Sequence, residues 1–85
     1  MRLLCGDAQT MGKWFEIELV PLLNEDWAVV VSWGRMGADG QDFVFQPARQ
    51  FYIGNWEGAE KVFYAKIDER LKHGYKKKLY EETKK

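Results

Sequence analysis

Between residues 13 and 20 the chain reads KWFEIELV, and apolar and acidic positions alternate: Phe15, Ile17 and Leu19 against Glu16 and Glu18. A period of two predicts a half-buried strand with one wet face. Pro21 ends that strand or lies at a sheet edge. Residues 22–26, LLNED, form a connection with turn formers at its end. WAVVVSW (27–33) is almost continuously apolar and β-branched, which suits a central strand covered on much of both faces. Asp39-Gly40 is a short-range hairpin signal, because both residue types tolerate positive φ. QDFVFQP (41–47) is the returning strand. RQFYI (49–53) reads either as a further strand or as an extended loop, with Pro47 interrupting. RLLC (2–5) makes a short first strand, and GDAQTMG (6–12) a loop with glycine at both ends.

After Asn55, a good N-cap, the period changes from two to about 3.6. Ala59, Val62, Phe63, Ile67 and Leu71 form one apolar stripe. Glu57 and Glu60 near its start and Lys72 and His73 near its end agree with the helix dipole. Gly74 suits the C′ position, with Tyr75 folding back on the last turn. The pattern predicts one helix over 56–73. The fold class is α+β: an antiparallel sheet of about four strands with one long helix packed on a face.

Eighty-five residues make a single domain. A chain this short buries only about 60–65% of its unfolded surface, so its core is thin. Thirteen aromatic residues compensate. The formal net charge is zero, which argues against strong nonspecific nucleic-acid binding. The charge is uneven, however. Residues 1–44 carry three basic and seven acidic side chains, and residues 45–85 ten basic and six acidic. This asymmetry steers an anionic partner toward one face. Cys5 is the only cysteine, so no internal disulfide forms and a reducing compartment fits. Only two leucines precede it, too few for a secretory signal. The expected location is cytoplasmic, with no membrane partner.

The candidate chemistry lies in VSWGRMGADGQ (31–41). Trp33 and Arg35 are two apart and share a face if the strand persists. Gly34 between them lets another backbone or a ligand come close. A ring for stacking beside a guanidinium for phosphate suits nucleic acid. The competing reading packs Trp33 into the sheet–helix core with Arg35 over it. Lys13, Arg49, Lys76, Lys77 and Lys78 are the further candidate phosphate contacts. The basic run at the end, with Lys84 and Lys85, also reads as a solvated terminus, so the domain is expected over 1–75 with a basic tail over 76–85. His73 and Cys5 are far apart, no nucleophile–base set or metal-ligand cluster is visible, and no cofactor is called for.

These residues resemble the WGR domain family. That family is named for a Trp-Gly-Arg motif followed by an aliphatic residue, Gly, a short turn and Gly-Gln, matched by Trp33, Gly34, Arg35, Met36, Gly37, Gly40 and Gln41. The Lys-aromatic strand start is matched by Lys13, Trp14 and Phe15, and the helix close by Lys72, Gly74 and Tyr75. The resemblance spans about residues 13–75. It implies an antiparallel sheet with one helix and a non-enzymatic, DNA-related role. In eukaryotic ADP-ribose polymerases such a domain helps recognise DNA breaks, which makes Trp33 the group that packs on a terminal nucleotide and Arg35 the backbone or interdomain contact. These 85 residues include no counterpart of the transferase, so no such activity is implied. Some break-binding members carry Asn just before the strand's Lys, where this chain has Gly12. The alternative is a protein-interaction module that uses the same Trp/Arg surface without binding DNA.

Overall fold

The structure is a computed structural model that describes residues 1–6, 12–37 and 39–81, with side chains described through residue 77. The order of elements is β1 (Arg2–Gly6), β2 (Lys13–Pro21), β3 (Trp27–Met36), β4 (Asp42–Gly54), α1 (Trp56–Lys72) and β5 (Lys77–Glu81). The strands form one antiparallel sheet in the order β4-β3-β2-β1-β5. The α+β class is as expected.

Two differences from the sequence reading concern strands. Within the segment expected as a basic tail, residues 77–81 form β5, which pairs with β1. Residues 42–54 are one strand that runs through Pro47. The sheet tolerates this proline because β4 is an edge strand, where one row of N–H groups needs no partner. The register between β3 and β4 shifts at three places, between Val29 and Val30, Val31 and Trp33, and Trp33 and Gly34. Such bulges bend and twist an edge strand and re-aim its side chains.

The core is what the alternation demands. Leu3 and Cys5 from β1, Phe15, Ile17 and Leu19 from β2, and Val29 and Val31 from β3 are buried against Ala59, Phe63 and Ile67 of α1. Each full burial of such an aliphatic or aromatic side chain contributes about 1.5–3 kcal/mol. At one end of the helix Trp56 meets Trp27 edge to face, with ring centroids 4.7 Å apart.

Local chemistry sets the ends of the elements. Asn55 accepts a hydrogen bond from the Gly58 N–H at 2.8 Å and so caps α1. The chain leaves α1 at Gly74, φ +92°, and the Tyr75 N–H donates back to the Arg70 carbonyl at 3.3 Å. That return places the buried Tyr75 under the last turn. In the hairpin before β4 the Gly40 N–H donates to the Gly37 carbonyl at 3.0 Å, and Gly40 takes up a positive φ, +84°. Asp39 contributes differently, accepting from the Gln41 N–H at 3.0 Å.

Candidate nucleic-acid interface

The register between β2 and β3 is unbroken, so it assigns faces directly. Phe15 is opposite Trp33, and Lys13 is opposite Arg35. Since Phe15 is a core residue, Trp33 lies on the face that α1 covers. It is half-buried and packs against the core. Its ring is nearly parallel to that of Phe15, with centroids 6.4 Å apart and 23° between planes. The ring joins the core, as the packing reading expects, and keeps a solvent-facing portion.

That portion opens into a cleft of about 130 Å³ between the sheet and α1. Phe15, Val31 and Trp33 form its apolar floor, and Phe51 of β4 forms a wall. Arg49 of β4 and Lys66 and Arg70 of α1 complete the lining. Three cations therefore share one small space with three aromatic rings.

The cations are held by the rings. The Arg70 guanidinium carbon is 4.4 Å from the Phe15 centroid, 5.6 Å from Trp33 and 5.7 Å from Tyr75. The Lys66 ammonium is 4.2 Å from the Phe51 centroid. Such contacts stabilise by about 0.5–1 kcal/mol when exposed and about 2 when desolvated. They leave the charge itself intact. Among the described residues Lys66 meets Glu69 at 3.8 Å, and neither Arg49 nor Arg70 has a carboxylate partner. The Arg70 Nε is buried and has no hydrogen-bond partner. The cleft thus carries an unbalanced positive charge beside an aromatic surface.

The other candidate residues fall in three places. Arg49 is in the cleft. Lys13 and Arg35 form an exposed cross-strand pair two residues beyond Trp33, about 7 Å further along the strand. Lys76 and Lys77 are exposed on the opposite side of the sheet, where Lys77 pairs in register with Cys5. Three strand spacings separate β3 from β5, about 14 Å, so these lysines do not join the cleft. The Lys78 side chain lies outside the described residues, as do Lys84 and Lys85. Cys5 is fully buried, and its thiol is pushed above its ordinary pKa by burial, with Lys77 and Arg70 pulling weakly the other way.

Gly34 admits a close neighbour, and of the two that its sequence position suggests it is a backbone, that of β4, together with the Trp14 ring. A Cβ there would come within 2.6 Å of Trp14 Cζ2 and would collide with the Phe43 carbonyl oxygen. The close approach is made by the neighbouring strands, on the face away from the helix. Trp14 is held over that spot by its Nε1–H, which donates to Asp42 Oδ1 at 2.8 Å.

Sequence reasoning missed Lys66 and Arg70. A signal was present: Arg70 follows Ala59 by eleven residues, about three full turns, which places a cation in the middle of the apolar stripe.

A family model for the WGR domain matches residues 3–82, nearly the whole length. The chain belongs to the WGR domain family. The matched span includes β5, so the family's unit extends past Tyr75. No curated protein and no solved structure matches the chain. Within this WGR domain, the Trp of the naming motif is the residue that links core and cleft. Its Gly is the seat for Trp14, and its Arg stands at the exposed end of the sheet.

Proposed function

We propose that this WGR domain is a non-enzymatic binding module for nucleic acid, in the setting of DNA ends or a DNA-associated complex. The carrying observation is the cleft. A half-exposed Trp33 ring is surrounded by Arg49, Lys66 and Arg70, and among the described residues only Glu69 offsets them. Stacking of a base on an aromatic side chain contributes about 1–3 kcal/mol. Guanidinium and ammonium groups supply the phosphate contacts. Arg35 and Lys13 extend the basic surface beyond the cleft. Three phosphate contacts give a moderate salt dependence: affinity falls roughly 20- to 40-fold between 50 and 200 mM salt. The zero net charge agrees with this small number of contacts and with modest affinity.

The test is fluorescence anisotropy with labelled single-stranded, nicked and blunt DNA at two salt concentrations, for the wild type and a Trp33→Ala variant whose fold is checked by circular dichroism. Salt-sensitive binding that the folded variant loses supports the proposal. Absence of binding to every form at 50 mM salt contradicts it.

A second reading, a protein-interaction module, draws on one observation of its own. Phe43, Phe45, Phe51 and Ile53 of the edge strand β4 are between 46% and 61% exposed. A run of exposed apolar side chains on an unpaired edge suits a protein partner. The cleft, with its unbalanced cations, favours the nucleic-acid reading.

A further inference from the structure

We propose that the cleft takes a single unpaired nucleotide, so that the domain binds single-stranded nucleic acid or an unpaired overhang in preference to continuous duplex. This rests on the nucleic-acid reading and narrows it. The size of the cleft limits what enters it. An apolar protein cavity of about 150 Å³ holds one benzene ring, and the cleft here is about 130 Å³. The space is slightly smaller than that and open on one side, so it receives one flat ring in part, with the rest in solvent, and has no room for a base pair. Trp33 and Phe51 offer aromatic surface to such a ring, above a floor that includes Val31.

Arg49 comes from the sheet edge, while Lys66 and Arg70 come from the helix. The cations therefore reach the same space from two sides, and a phosphate attached to the inserted nucleoside meets them at its mouth. In a duplex the bases are paired and stacked, and bringing one into a pocket requires extruding it at a cost of a few stacking and pairing interactions. An unpaired nucleotide avoids that cost. Arg70 is already ordered for this task, because its guanidinium is held over the Phe15 ring and its Nε is buried. Pre-ordering removes part of the entropy that binding otherwise loses.

The experiment compares a labelled decathymidylate with a blunt hairpin duplex of the same label, by anisotropy at 50 mM salt. The wild type is measured beside Phe51→Ala and Lys66→Gln, at positions where one side chain is exposed and the other half-buried, and beside Arg70→Met. The expected result is at least tenfold tighter binding of decathymidylate than of the hairpin, with a loss of tenfold or more in Arg70→Met and about fivefold in each of the other two. If Arg70→Met fails to fold, the remaining two variants decide. Equal or tighter binding of the hairpin, or decathymidylate binding that neither Phe51→Ala nor Lys66→Gln weakens, overturns this inference and leaves the nucleic-acid reading standing. Binding of neither probe overturns both.

Discussion

Trp14 and Gly34 are cross-strand partners on β2 and β3, and the indole of the first fills the space that a side chain on the second would need. The motif's glycine is thus explained by its neighbour. Gly34→Ala places a Cβ against both the indole and the Phe43 carbonyl, and overpacking of this kind costs about 1–3 kcal/mol. Urea unfolding measures the loss. In a Trp14→Ala background the added cost of Gly34→Ala falls, because the indole is gone, but it does not vanish, because the carbonyl remains. A double-mutant cycle reads the difference.

Arg70 separates stability from binding. Arg70→Met keeps an unbranched, polarizable side chain against Phe15, Trp33 and Tyr75. It removes a cation–π contribution of about 0.5–2 kcal/mol and also removes a charge that is held close to the core with no carboxylate partner among the described residues. These two effects oppose each other, so unfolding free energy changes by no more than about 1 kcal/mol. Nucleic-acid affinity falls tenfold or more, which is about 1.4 kcal/mol or more. Arg49→Ala, on the exposed edge strand, lowers affinity uniformly across sequences and reduces the salt slope by about 0.7 to 0.9, one phosphate contact.

Cys5 reports on folding. Its thiol is fully buried near the end of β1, and burial holds its pKa above the ordinary value. The folded state therefore keeps the proton to higher pH than the unfolded chain. Above about pH 8.5 the unfolded state binds fewer protons than the native one, so stability falls as pH rises. Comparing urea midpoints at pH 7 and pH 9.5 for the wild type and Cys5→Ala isolates this contribution: the wild type loses more. A disulfide reagent labels Cys5 only as fast as the protein opens.

Most of the fold was legible because it rests on local patterns. The Phe15, Ile17, Leu19 alternation and the Asn55-capped stripe of α1 each carry their own period. β5 was hidden because Lys76 to Lys78 read as a solvated run, and a strand that pairs with β1 at a sheet edge needs no apolar alternation of its own on both faces. Continuity of β4 was hidden by Pro47, which only an edge position allows. The site was half legible. Trp33 and Arg49 stand among the sequence candidates, but the cleft they line depends on the β2–β3 register and on the helix crossing that brings Arg70 over Phe15. Trp14 as the lid on Gly34 is a cross-strand fact that spacing along the chain does not contain.

Entry of a ligand into the cleft beside Trp33 has its own spectroscopic signature. Nitrogen-15 spectra of the Trp indole and Arg Nε–H groups, recorded while decathymidylate is added, test it most directly. On entry the Trp33 indole and the Arg70 and Arg49 Nε–H signals shift together and saturably, while those of Trp27 and Trp56 at the far corner stay in place. Shifts confined to groups outside the cleft, with Trp33 and Arg70 unmoved at saturation, contradict it.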